Sequence, residues 1–193
     1  MTTLCLSPSF SVSSCLSISN ICGMNPLRKA LFLDRDGVIN VDSGYVWRTE
    51  DLILREEIIP FLQQVQEKYV FIIITNQSGI ARGMYKKEDV ETFHQALRAR
   101  LATAGIHILD IFFCPHHPRH GSNCLCRKPS PLMIEKAAAK HQIDLARSWM
   151  IGDKTTDVEA GLAAGCKTIF LSEGSYEKAT YSGNALLSAI PLL

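Results

Sequence analysis

The amino-acid sequence predicts a three-layer α/β/α sandwich built on a mostly parallel sheet, and three observations carry that expectation. Short apolar runs alternate with longer stretches of helical spacing, an order that right-handed crossovers turn into a parallel sheet covered on both faces. The runs themselves, such as Ala30–Leu33 and residues 70–75 (VFIIIT), are apolar throughout, as strands buried on both faces require. Several runs end abruptly in polar residues: Asp34, Thr75 and Gly152-Asp153.

Taken in order, Ala30–Leu33 is the first strand, and residues 58–69 have the spacing of an amphipathic helix. Residues 70–75 are β-branched enough for a central strand. Residues 87–104 read as a helix stopped by Gly105, and residues 106–113 as a third strand. Ser130 with Pro131 marks a helix start, Ser as cap and Pro in the first turn, and that helix runs to about His141. Residues 149–151 form a strand, residues 156–164 a helix closed by Gly165, and Lys167–Leu171 a last strand. The C-terminal tail carries no signal, and no internal repeat is present. The result is a Rossmann-like architecture.

A chain of 193 residues holds one domain with a proper core, and 47% apolar content argues against global disorder. The formal charge of +1 leaves no electrostatic footprint for nucleic acid or an anionic membrane. No apolar run approaches the roughly 18 residues that cross a bilayer. Residues 1–23 are Ser-rich and uncharged, without the basic start and long apolar core of a secretory signal. Residues 1–27 are therefore expected to be a disordered extension or a misassigned start, with Met24 as initiator, and residues 28–193 the working domain. Of seven cysteines, Cys5, Cys15 and Cys22 fall in that first segment and Cys166 stands alone. Cys114, Cys124 and Cys126 instead cluster among His116, His117 and His120, which reads as metal chemistry in a reducing compartment. Three thiolates and one imidazole make a closed tetrahedral set suited to structural Zn²⁺, with no open position for activating water.

In a parallel sheet the ligand sits beyond the carboxyl ends of the strands, so residues just after each strand should carry the chemistry. Asp34 and Asp36, two apart at a strand end, leave on the same side. Two close carboxylates are unfavourable unless a cation lies between them, and Mg²⁺ is the natural one; a turn built from Asp and Gly is the plainer alternative. Thr75-Asn76-Gln77-Ser78-Gly79 offers a hydroxyl and loop N–H groups for a phosphoryl oxygen. Asp153 is followed at helical spacing by Asp157, which can orient groups at the metal or simply complement a helix dipole. Arg127-Lys128-Pro129 places positive charge just before a helix.

The order Asp34-x-Asp36, Thr75, Lys128, Gly152-Asp153 with Asp157 resembles the haloacid dehalogenase-like phosphohydrolases. DRDGVIN, Gly44-Tyr45, TNQSGIARG, CPHH, CxCRKP and GDK are similar to one branch of them: the D-glycero-D-manno-heptose 1,7-bisphosphate phosphatases and their histidinol-phosphatase relatives. The likeness spans roughly residues 29–171. It implies a nucleophile at Asp34, a general acid and base at Asp36, and Mg²⁺ held by Asp34, the Asp36 carbonyl and Asp153. It implies charge neutralisation by Thr75 and Lys128. Substrate contacts follow at Asp42, Ser43, Gly44, Tyr45, Asn76, Gln77, Ser78, Arg127 and Lys154, with Ser43 matching by position alone. Val38 stands where many relatives have Thr. The family pattern selects His116 to join Cys114, Cys124 and Cys126 around Zn²⁺, a loop that leads straight into Arg127-Lys128.

Large members of the superfamily insert a cap domain. Here residues 36–75 have room for a hairpin and one helix, so an open, capless site is expected. The resemblance implies a cytoplasmic, monomeric phosphatase of a small sugar phosphate, feeding ADP-heptose and lipopolysaccharide core synthesis, with histidinol phosphate as the competing substrate. A phospho-aspartate signalling receiver shares the sheet, acids, Thr and Lys, but lacks an Asp two residues after its acceptor; Asp36 argues for turnover. A zinc-dependent interaction module is the remaining alternative.

Overall fold

The computed structural model describes residues 27–120 and 124–193. The expectation for the N-terminal extension therefore lies outside the described residues, Leu27 excepted. Six strands form one sheet: β1 (Ala30–Leu33), β2 (Val70–Asn76), β3 (Ile108–Cys114), β4 (Trp149–Gly152), β5 (Lys167–Leu171) and β6 (Tyr181–Gly183). Their order is β3-β2-β1-β4-β5-β6, and every pairing is parallel. Four helices connect them: α1 (Ile58–Val65), α2 (Lys87–Ala102), α3 (Leu132–His141) and α4 (Thr155–Ala163).

The period-2 geometry of β1 divides the core in two. Leu31 and Leu33 point to one face, with Ile58, Phe61 and Leu62 of α1 and Leu97 and Leu101 of α2. Ala30 and Phe32 point to the other, with Met133, Ile134 and Ala137 of α3 and Ala160 of α4. All four residues of β1 are buried. Each such Leu, Ile or Phe side chain contributes about 1.5–3 kcal/mol on leaving water. Helix spacing explains the rest: Ile58, Phe61, Leu62 and Val65 fall on one stripe of α1.

Several boundaries differ from expectation for local reasons. α1 stops at Val65 because Tyr69 turns back, its N–H donating to Val65 O at 3.1 Å and its ring buried in the core. α2 ends at Ala102, closed by Gly105 at φ 76° with Ile106 N–H donating to Leu101 O at 3.1 Å. The expected Ser cap of α3 is displaced: Pro131 holds the cap position and the helix starts at Leu132, although Ser130 Oγ accepts from Leu132 N–H at 3.4 Å. The tail without signal supplies β6 and a 3₁₀ turn, Leu187–Leu192, next to which Leu186 is fully buried.

Between Asp36 and Thr75 the chain folds back on itself, Val41 N–H donating to Ile53 O at 2.9 Å and Arg55 N–H to Ile39 O at 3.0 Å, without forming regular strands. Isolated bridges Asp36–Asn40 and Asn40–Leu54, a 3₁₀ turn at Thr49–Asp51, and α1 fill the span. Among the described residues no domain is inserted over the sheet, and no helix is long and apolar enough to cross a membrane.

Candidate active site

The strand order reverses between β1 and β4, which opens a crevice at their carboxyl ends. Asp34 follows β1 and Asp153 follows β4, so backbone topology alone brings them together. A cleft of about 270 Å³ lies there.

Lys128 enters from the loop after β3. The Asn76 amide at the end of β2 clasps its backbone in both directions: Oδ1 accepts from Lys128 N–H at 3.1 Å and Nδ2 donates to Lys128 O at 3.2 Å. The Lys128 ammonium, 2% exposed, meets Asp157 Oδ1 at 2.7 Å, Ile74 O at 2.7 Å and Asp34 Oδ1 at 2.9 Å. Ile74 O takes its hydrogen bond, and the two carboxylates face the ammonium as ion partners. Burial would lower its pKa, but Asp157 and Asp34 outweigh it and hold the ammonium charged. Asp34 is pushed up to about 6 by burial first and the charge of Asp157 second, with Lys128 pulling the other way.

Asp157 also accepts the Lys154 N–H at 3.1 Å, capping α4. It fits because Gly152 has no Cβ; one would lie 2.1 Å from Asp157 Cβ. Asp157 Oδ2 thus accepts a backbone N–H, while Oδ1 has the Lys128 ammonium as its ion partner and no hydrogen bond.

Asp36 is held by four donors: Arg35 Nε at 3.0 Å and Nη2 at 2.7 Å, Asn40 Nδ2 at 2.9 Å and Gln77 Nε2 at 3.0 Å. Arg35 is fully buried, its guanidinium 4.5 Å from the Phe93 ring centroid and donating to Val46 O. Beside it His94, 3.4 Å away, is driven down to about 3 by burial, Arg35 and Arg98, so the ring stays neutral. Neither Arg35 nor His94 was visible as a site residue, because a lone Arg reads as surface charge and a helical His as structure.

Thr75, 1% exposed, accepts from Gln77 Nε2 at 3.0 Å and lines the cleft with Asp34, Asp36 and Lys128. Asp42, Gly44, Tyr45, Asn76, Gln77, Ser78, Arg127, Lys154 and Asp157 complete the lining, together with Tyr85 and Thr156, which sequence reasoning missed. Ser43 is the exception: it is exposed and does not line the cleft, although both its neighbours do. Asn76 and Gln77 reach the wall with their amides already engaged on protein groups. At the mouth, Lys154 Nζ lies 3.2 Å from Asp42 Oδ2 and 3.9 Å from Asp153 Oδ2. Burial raises the Asp42 carboxyl, yet the Gly44 N–H and Lys154 bring it below the ordinary value.

Two donor sets suit metals. Asp34, Asp153 and Asp157 bring carboxylate oxygens within 4.8 Å of one another. Asp157 Oδ1 and Asp153 Oδ1 are both buried with no hydrogen-bond partner, but the first has the Lys128 ammonium at 2.7 Å, so Asp34 and Asp153 are the pair that calls for a cation. A buried, unpaired carboxylate oxygen is costly unless a cation meets it, and an all-oxygen set suits a hard divalent ion. Gly37 is part of this cradle, since a Cβ there would lie 2.2 Å from Asp153 Oδ2. The second set is Cys114, His116, Cys124 and Cys126. The sulfurs of Cys126 and Cys124 lie 3.2 and 3.6 Å from Cys114, and His116 Nδ1 lies 3.3 Å from Cys126 and 3.6 Å from Cys114. A tetrahedral Zn²⁺ requires edges of about 3.6–3.8 Å at its usual bond lengths, a small expansion of this set. His117 and His120 pack on each other instead, ring centroids 5.0 Å apart, with His117 against Arg82.

A parallel sheet with paired aspartates after its central strand, an acidic residue after the neighbouring strand and a buried Lys between them is the arrangement of haloacid dehalogenase-like hydrolases. The family model described as HAD-hydrolase-like matches residues 125–188. Over 166 residues the chain is 42% identical to a D-glycero-alpha-D-manno-heptose-1,7-bisphosphate 7-phosphatase of Photorhabdus laumondii, covering 83% of this chain and 91% of that one. Over 145 residues it is 47% identical to a D-glycero-beta-D-manno-heptose-1,7-bisphosphate 7-phosphatase of Helicobacter pylori, covering 74% and 83%. The crystal structure of the D,D-heptose 1,7-bisphosphate phosphatase of B. bronchiseptica, complexed with magnesium and phosphate, superposes with a TM-score of 0.76 at 30% identity, covering 85% of this chain and 97% of that one. A putative HAD-like phosphatase from Mesorhizobium loti gives 0.78 at 29% identity, covering 89% and 91%. The chain belongs to the haloacid dehalogenase-like hydrolases, in the family of the D-glycero-manno-heptose-1,7-bisphosphate 7-phosphatases.

Proposed function

We infer that the protein hydrolyses the C7 phosphate of D-glycero-D-manno-heptose 1,7-bisphosphate through an aspartyl-phosphate on Asp34. The observation that carries the chemistry is the ion pair of Asp34 with Lys128 at 2.9 Å, beside an unpaired buried oxygen of Asp153; the family supports the substrate.

A carboxylate oxygen of Asp34 attacks phosphorus in line, the P–O bond to C7 breaks, and Asp36, entering this step as the carboxylic acid, gives its proton to the departing oxygen. Asp36 exchanges one of its four present donors for that oxygen. Water then attacks the phosphoryl group on Asp34, Asp36 takes its proton, and inorganic phosphate leaves with Asp34 restored. Lys128 and Thr75 balance charge on the phosphoryl oxygens. Mg²⁺, held by Asp34, Asp153 and the Asp36 carbonyl, supplies the positive charge that lets an anionic nucleophile approach an anionic ester. Arg127, Lys154, Tyr45 and Asp42 surround the rest of the sugar phosphate.

Zn²⁺ on Cys114, His116, Cys124 and Cys126 holds the loop that delivers Arg127 and Lys128, without taking part in the reaction. On this reading residues 28–193 work as one catalytic unit, a monomer in the cytoplasm.

The test is phosphate release with Mg²⁺ from both anomers of the bisphosphate and from histidinol phosphate, compared as kcat/KM. Loss of the C7 phosphate with the C1 phosphate retained is expected. Faster turnover of histidinol phosphate would replace the substrate and keep the mechanism.

A further inference from the structure

Gln77 has no donor left to offer a ligand. Its backbone N–H donates to Cys114 O at 2.7 Å. Its two amide protons go to Asp36 Oδ2 and Thr75 Oγ1, each at 3.0 Å. Its Oε1 accepts the Tyr85 hydroxyl at 2.9 Å, and the residue is 2% exposed.

Chemistry dictates which way this amide faces. In the resting site Asp36, paired with the Arg35 guanidinium, presents carboxylate oxygens that only accept, so the NH₂ end must meet it. Oε1 then faces Tyr85, whose hydroxyl must be the donor. Thr75 Oγ1 receives the second amide proton and keeps its own O–H for another acceptor. A phosphoryl oxygen in the cleft that Thr75 lines is that acceptor. The network runs in one direction, Tyr85 to Gln77 to the two reacting neighbours.

Tyr85 is itself placed with care. A Cβ on Gly79 would lie 2.2 Å from its ring, so glycine makes the seat, and the Trp47 ring packs 5.8 Å away. Burial raises its pKa, which keeps the O–H on the oxygen at neutral pH.

Resting on the phosphatase reading above, we propose that Tyr85 and Gln77 are positioning residues: Tyr85 locks the Gln77 amide, and Gln77 fixes the Asp36 carboxylate while turning the Thr75 proton toward the phosphoryl group. Gln77 therefore lines the cleft without binding the substrate.

A double-mutant cycle tests this. Tyr85→Phe removes one hydroxyl, and kcat is expected to fall about tenfold, the effect of one buried hydrogen bond, with KM within about twofold of the parent. Gln77→Leu is expected to lose more, again in kcat. In the Gln77→Leu background, adding Tyr85→Phe is expected to change kcat by less than about twofold, because its effect travels through the amide. Independent, multiplying losses would overturn the proposal. So would a Gln77→Leu variant with raised KM and unchanged kcat, the signature of a substrate ligand. Should Gln77→Leu fail to fold, Gln77→Met takes its place, similar in length and without a polar end. The ratios are read on p-nitrophenyl phosphate as well as on the sugar bisphosphate, so a wrong sugar leaves the coupling measurable.

Discussion

Lys128 and Asp34 show how one buried ion pair serves two ends. The pair keeps an ammonium charged in the interior, and it aims that charge at the nucleophile. Neither group is comfortable alone, since burial and Asp157 keep the Asp34 carboxyl well above its usual range. Asp34→Asn removes the attacking oxygen while keeping the shape. Turnover is expected to drop by at least about 10⁴-fold, with a circular dichroism spectrum like the parent's. Substantial residual activity in a pure sample would contradict the covalent route. Arg35 shows the limit of reading residues singly. Adjacent to both aspartates, it carries no signal of its own in the sequence, and its complete burial depends on Phe93, His94 and Val46, at least eleven residues away along the chain.

At the scale of elements, the site is a join between the β1 turn and the start of α4, made possible by glycine. Gly37 has φ +86° and no room for a Cβ against Asp153, whereas Gly165, also at φ +86°, faces open space. Gly165→Ala therefore costs backbone strain alone, about 1 kcal/mol of stability, and leaves the Mg²⁺ requirement unchanged. Gly37→Ala adds displacement of Asp153, and the Mg²⁺ concentration for half-maximal activity is expected to rise at least about tenfold. Equal Mg²⁺ curves for the two variants would show that Asp153 does not hold the ion. The loop after β3 is the second join. Cys124→Ser is expected to release zinc, lower the melting temperature by several degrees, and raise KM, because Arg127 and Lys128 lose their anchor. Metal content by atomic spectroscopy decides it: zinc retained at one per chain with an unchanged melting curve defeats the assignment. These joins were legible in the sequence because continuous apolar runs, even the four residues of β1 and of β4, announce themselves and the residues after them inherit a place. The three residues of β6 (Tyr-Ser-Gly) carry no such run, and their strand exists only because the β5 edge pairs with them. The roles of Tyr85 and Gln77 were illegible for a related reason: hydrogen-bond direction emerges only when Asp36 and Thr75 are in position.

At the scale of the whole molecule, the acidic crevice sets function against stability. Between the ordinary value of 3.8 and about 6, the native chain binds a proton at Asp34 that the unfolded chain does not. Stability therefore falls as pH rises through that window, and above it the metal-free fold carries the full penalty, on the order of 3 kcal/mol. A divalent ion binds only the deprotonated site, so at pH 8 it meets the charge directly, whereas at pH 5 it must first displace the proton that native Asp34 holds. At a hundredfold excess over its dissociation constant, Mg²⁺ contributes about 2.7 kcal/mol. For a chain of this size that is a rise of about 5–10 °C in melting temperature. Differential scanning calorimetry with and without Mg²⁺ is expected to give that rise at pH 8 and a clearly smaller one at pH 5. Asp34→Asn, freed of the charge, is expected to melt above the metal-free parent at pH 8 and to gain less from Mg²⁺. A parent whose Mg²⁺ shift is the same at both pH values would mean that Asp34 is not among the groups the ion needs.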